Sequence, residues 1–245
     1  MAGLFIFVIS VMIAFSPNLL LASEESTGND THDCVIILHG IARTKGSMSK
    51  IEKYLAKRGY KTVNMGYPST SESIEYIAET YVSKAVDQCK EGQVNKIHFV
   101  THSMGGIVVR QYLQTNSVPG GSRLVMLSPP NQGSEVVDYL REFFLYQWVT
   151  GPAGQQLGTD NKSLPNRLKP VGIEVGVITG DKSFNPWFSS IVSGPDDGTV
   201  SVEGARLKEM TDFIVVENTH TFIMRDPNVH QQVFHFLKYG RFNHE

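Results

Sequence analysis

Apolar residues follow two rhythms along this chain. Short unbroken runs come first: Cys34-Val35-Ile36-Ile37-Leu38 has no polar position, as expected of a strand buried on both faces. Further strands, with polar residues among the apolar ones, are predicted over 61–65, 96–100, 123–127, 173–179 and 213–216. Between them the apolar positions recur every three or four residues. Met48, Ile51, Tyr54 and Leu55 predict a helix over 47–58, stopped by Gly59. Ile74, Ile77, Ala78, Tyr81, Val82, Ala85 and Val86 predict a longer one over 72–89. Two more are predicted over 105–114 and 229–238. Strand and helix alternate, which implies an α/β fold: a mostly parallel sheet of about six strands with helices on both faces. Right-handed crossovers then gather the strand ends at one edge, where a site should form.

Two stretches break the rhythm. Residues 137–168 hold a dense apolar cluster that includes Tyr139, Phe143, Phe144, Tyr146 and Trp148, followed by Gly151-Pro152. One reading is an aromatic-rich core helix. The other is a cap over a pocket mouth, with Phe143, Phe144 and Trp148 against an acyl chain. Residues 1–22 carry no charge and are dominated by Leu, Ile, Phe and Val before Ser23-Glu24-Glu25. They read as an export signal or as a retained membrane anchor, with membrane association through residues 4–22. Either way the globular part is expected outside the cytoplasm, exported or anchored there. Residues 23–33 are then a linker, and 34–245 form the domain.

Composition narrows the chemistry. The chain has 245 residues, 41% apolar and 19% charged, with a formal charge of −2 and no basic run. That is ordinary for one globular domain and argues against a nucleic-acid partner. Nothing in the sequence calls for a metal or a cofactor.

Thr101-His102-Ser103-Met104-Gly105-Gly106 lies between a predicted strand and a predicted helix. A serine between small residues at that junction has the form of a nucleophile elbow, with the hydroxyl held up above the sheet. A serine hydroxyl needs a base and a group to orient that base. His220 follows the last predicted strand and precedes the last helix, which returns it to the edge that carries Ser103. Asp197, in Gly194-Pro195-Asp196-Asp197-Gly198, completes the chain order Ser…Asp…His, with Asp196 and Asp181 as alternatives. His102, inside the elbow, is expected to point away from the reacting face. Two amides are expected to hold an oxyanion: Met104 N–H, and Ile41 N–H in His39-Gly40-Ile41, where Gly40 permits close approach.

These residues, together with Pro129-Pro130-Asn131-Gln132-Gly133-Ser134, resemble the lipases and esterases of the α/β-hydrolase fold, especially the compact bacterial ones. The resemblance runs from about Cys34 to the last helix. It implies a minimal form of that fold lacking the first two strands. The implied activity is hydrolysis of a carboxylic ester, small-molecule or lipid, through an acyl-enzyme. Acyl transfer by the same triad and a non-catalytic binding role are the alternatives. One position departs from the pattern: Thr101 stands where the motif has its first glycine. In such a sheet Cys34 and Cys89 fall at the end opposite the site, compatible with a disulfide or with two thiols.

Overall fold

The computed structural model describes residues 32–245. The export signal or anchor at 1–22 and most of the linker at 23–33 lie outside the described residues. Six strands form one sheet: β1 (Cys34–Leu38), β2 (Lys61–Met65), β3 (Ile97–His102), β4 (Arg123–Leu127), β5 (Glu174–Gly180) and β6 (Asp212–Val216). Every pairing is parallel, in the order β2-β1-β3-β4-β5-β6. The chain leaves β1 for β2 on one side and returns to β3 on the other. The order therefore reverses between β1 and β3, which opens a crevice at their C-terminal ends.

Strand alternation divides the core in two. Cys34, Ile36 and Leu38 face one side with Phe99, Met126 and Val177; Val35 and Ile37 face the other with Val100, Leu127 and Ile178. The second side is covered by α1 (Ser49–Ala56) and α9 (Pro227–Tyr239) through Ile51, Leu55, Val233 and Phe236. Asp226 accepts from Asn228 N–H to cap α9, and Gly240 ends it in the left-handed region at φ 75°.

On the first side the predicted helix over 72–89 is one continuous helical run with a change of winding. Ser73 caps α2 (Ile74–Ile77), a π segment spans Ala78–Val82, and α3 (Ser83–Lys90) follows. Cys89 near the end of α3 is joined to Cys34 at the start of β1 by a disulfide, with Cα atoms 5.7 Å apart. This end of the molecule is the one away from the strand C-termini. The Lys61 ammonium donates there to the carbonyls of Gln88, Cys89 and Glu91, closing the end of α3. The remaining helices are α4 (Met104–Tyr112), α5 (Glu135–Leu140), α6 (Phe144–Gln155), α7 (Leu164–Arg167) and α8 (Pro186–Ser189). Among the described residues no helix is long and apolar enough to cross a membrane.

Candidate active site

The turn from β3 into α4 forces Ser103 to φ 53°, ψ −126°, a conformation that L-residues rarely adopt. Two features hold it there. Ser103 N–H donates to Leu127 O at 2.8 Å, and α4 starts one residue later. Gly105 must lack a Cβ, because one would stand 2.7 Å from His39 O and 2.9 Å from Leu38 O, both backbone atoms. The threonine that departs from the pattern is accommodated. Thr101 is fully buried and its hydroxyl donates to Val125 O at 3.4 Å. A Cβ on Gly106 would stand 2.4 Å from Met126 Cε and 3.3 Å from that hydroxyl, so the second glycine of the Gly105-Gly106 pair leaves room for both side chains.

Each remaining group arrives from the end of another strand. His220, after β6, places Nε2 3.0 Å from Ser103 Oγ and Nδ1 2.8 Å from Asp197 Oδ2. Asp197, after β5, has a fully buried side chain, and its Oδ1 accepts from Thr199 and Val200 N–H at 3.0 and 2.9 Å. The two alternatives are engaged elsewhere. Asp196 Oδ1 accepts from Gly198 N–H and the Ser189 hydroxyl, and Asp181 pairs with Lys182 at 3.4 Å. The loop after β1 presses against the elbow: a Cβ on Gly40 would lie 3.0 Å from Ser103 Cβ. Its shape is fixed by His39, whose ring stacks on Tyr67 at 4.1 Å while the Tyr67 hydroxyl donates to His39 O. Ile41 lines the same cavity as Ser103, and Met104 N–H is the first amide of α4, one of those a helix leaves without a partner inside itself.

His102 is not turned away from the site. Alternation puts it on the Val100 side of the sheet, and the loop after β6 descends over that side to reach α9. Its Nε2 lies 2.9 Å from His220 O.

Several histidines are held neutral by burial. His98 is pushed down to about 4 against the attraction of Asp33, and His39, His102 and His230 are lowered too, burial being the largest cause for each. The unfolded chain takes up protons near the ordinary value of 6.5, so between about 4 and 6.5 it binds more protons than the folded chain. Stability should be complete above that window and fall as pH drops through it. The urea midpoint is expected to be lower near pH 5 than near pH 7.5; equal midpoints would contradict the assignment.

Over Ser103 lies a cavity of about 350 Å³. Its apolar wall comes from Val137, Leu140, Tyr146, Val149 and Leu157, with Phe188 from α8. Leu140, Tyr146, Val149 and Phe188 also line an outer groove of about 620 Å³, where Phe143, Leu145 and Trp187 join them. Of the three aromatics expected against a substrate, only Phe143 lines this space. Phe144 and Trp148 are 79% and 73% exposed and line neither cavity. The helical period explains the correction: Tyr146, Val149 and Thr150 share the inward face of α6, whereas Phe144 and Trp148 share the outward one. Gly151, at φ 57°, ends that face; a Cβ there would stand 1.6 Å from Thr70 O. The part of α8 was not foreseen, although 183–195 is a run without charge that holds Phe184, Trp187 and Phe188. Among the described residues no group of three or more acidic, histidine or cysteine side chains could hold a metal ion.

The model of the palmitoyl protein thioesterase family matches residues 34–164, more than half of the sequence. The chain belongs to that family. No curated protein sequence matches it. Among solved structures, this thioesterase-family chain is similar to the mature lipase BlEst2 of Bacillus licheniformis, with TM-score 0.65 and 17% identity over 83% of this chain and 91% of that one. It is also similar to phospholipase PlaB of Legionella pneumophila, with TM-score 0.60 and 19% identity over 84% of this chain and 57% of the other. A third is a lipase-esterase related protein of Clostridium acetobutylicum, at TM-score 0.54 and 15% identity over 85% of this chain and 96% of that one. The fold is that of the α/β-hydrolases, and the family member described here is a hydrolase.

Proposed function

We propose that this chain hydrolyses acyl esters through a Ser103–His220–Asp197 triad. The observation that carries the reading is the unbroken contact from Asp197 Oδ2 through both ring nitrogens of His220 to Ser103 Oγ. In the proposed reaction Ser103 Oγ attacks the acyl carbonyl while its proton passes to His220 Nε2. The carbonyl oxygen becomes an oxyanion facing the Ile41 and Met104 amides. Collapse breaks the bond to the leaving group, which takes the proton from His220. Water then attacks the acyl-enzyme and gives a proton to His220, which passes it to Ser103 Oγ as the bond to the acyl group breaks and the acid leaves.

The apolar cavity continuing into the outer groove supports an acyl chain as the recognised part of the substrate. The family match favours a second reading of the bond that is cleaved, a thioester in place of an oxygen ester. A fluorophosphonate probe tests the nucleophile: no adduct on Ser103 in folded protein defeats the proposal. Matched chain-length series of p-nitrophenyl esters and acyl thioesters then separate the two readings. Dominant transfer to an added alcohol would recast the enzyme as an acyltransferase.

The exposed aromatics belong to an uncharged surface. No charged side chain occurs over 143–159 or 183–195, yet Phe144, Leu145, Trp148 and Phe184 are 67–81% exposed. Such a surface suits a lipid–water interface. Phe144→Ser/Trp148→Ser is expected to lower turnover of long-chain esters in vesicles by about tenfold, at about 1.4 kcal/mol per decade. Hydrolysis of a dissolved short-chain ester should stay unchanged, and a parallel loss on both substrates would count against the surface. We place the domain outside the cytoplasm, exported or anchored through residues 4–22, a reading that the Cys34–Cys89 disulfide supports. The intact mass of the exported protein distinguishes the two.

A further inference from the structure

The base of a triad has to be held by its backbone as well as by its ring. His220 N–H donates to Asp197 O at 2.9 Å, which ties the residue to the acid loop. The next residue, Thr221, accepts from Arg43 Nη2 at 3.3 Å, a link to the loop after β1. The carbonyl of His220 is taken by His102 Nε2 at 2.9 Å, and the two rings lie 4.9 Å apart. His102 directly precedes Ser103, so this third tie joins the base to the nucleophile strand itself.

We infer that His102 is a positioning residue, which sets the height of His220 over Ser103 by donating an Nε2–H to the His220 carbonyl. A carbonyl oxygen only accepts, so the bond requires the proton on Nε2. The ring is 1% exposed, and His39, Arg43 and His220 are the titratable groups that face it. With Nε2 protonated and the ring neutral, Nδ1 keeps a lone pair. That atom is buried and has no hydrogen-bond partner among the described residues. A Cβ on Gly40 would stand 3.0 Å from it, so the ring also fills the space beneath the loop that carries Ile41. One side chain thus touches the base loop above and the Gly40 backbone beside it. A misplacement of His220 of about 1 Å is enough to cost on the order of 100-fold in rate.

The inference rests on His220 acting as the base, and two measurements keep it separable from that reading. The first uses the wild-type chain: imidazole ¹⁵N shifts should report His102 as the neutral Nε2–H tautomer. A proton found on Nδ1 overturns the proposal whether or not the enzyme turns over. The second compares His102→Met, of similar volume without a donor, with His102→Gln, whose amide nitrogen reaches a place similar to Nε2. For His102→Met, kcat on a p-nitrophenyl ester should fall about 10- to 100-fold with KM within about twofold, and His102→Gln should recover most of it. Wild-type kcat in His102→Met, or equal losses in both variants, would overturn it. If His102→Met does not fold, the tautomer and the activity of His102→Gln decide. Failure of the underlying reading would appear separately, as wild-type protein whose Ser103 takes no fluorophosphonate.

Discussion

Ser103→Ala is expected to lower kcat by about 10^5-fold or more, with the melting temperature little changed. Alanine has the same backbone preferences as serine at φ 53°, and the hydroxyl it removes has His220 Nε2 as its partner at 3.0 Å. His220→Ala should cost about as much, and the double variant little more than either, because nucleophile and base act as one unit. Asp197→Asn should lose about 10^4-fold by presenting a donor where the His220 ring needs an acceptor. Its melting temperature should change little, because the amide oxygen left at the Oδ1 position still accepts the Thr199 and Val200 amides. The measurement is steady-state hydrolysis of a short p-nitrophenyl ester beside a thermal melt. Ser103→Ala retaining more than about 1% of wild-type kcat would remove the triad from the proposal.

The largest effect on stability is expected at the opposite end of the sheet. The Cys34–Cys89 bridge closes a loop of sequence separation 55. Chain-entropy arguments give such a loop about 4 kcal/mol of stabilisation, with measured losses of about 2–5 kcal/mol for native bridges. Cys34→Ala/Cys89→Ala, or reduction with a strong dithiol, should therefore lower the melting temperature by roughly 5–15 °C for a domain of this size. Activity at 25 °C should persist, because β1 runs its whole length between the bridge and the Gly40 loop. A shift of less than about 2 °C would mean that the two thiols are unpaired in solution.

The central strand Cys34–Leu38 was legible because a parallel strand buried on both faces has no polar position to confuse the pattern, whereas the edge strand Lys61–Met65 carries polar residues and only Met65 is buried. Cys34–Leu38, Lys61–Met65 and Arg123–Leu127 have the predicted bounds. Helix ends were less legible: the change to π winding at Ala78 leaves the apolar spacing of 74–86 intact. Ser103 and His220 could be placed together because each follows a strand that ends at the same edge. Asp197 could not be separated from Asp196 in sequence, since only the direction each carboxylate takes out of the loop distinguishes them. The cavity wall was harder still. Which aromatics of 143–149 face inward depends on where α6 starts and on the break at Gly151, and that break answers to the Thr70 carbonyl, distant in the sequence. His102 was misjudged because strand alternation says which face a side chain takes but not what another loop lays over that face.

Thr101 and Gly106 carry one last consequence. A glycine at a fixed place in a motif is usually taken as the requirement, yet this turn holds a threonine at one such place and has a glycine five residues on, where a Cβ would crowd both that threonine and Met126. A bulkier residue at one of the two positions can be matched by an empty one at the other. Patterns that score the positions one at a time will therefore pass over chains built like this one, and a rule on the combined size of the pair would recover them.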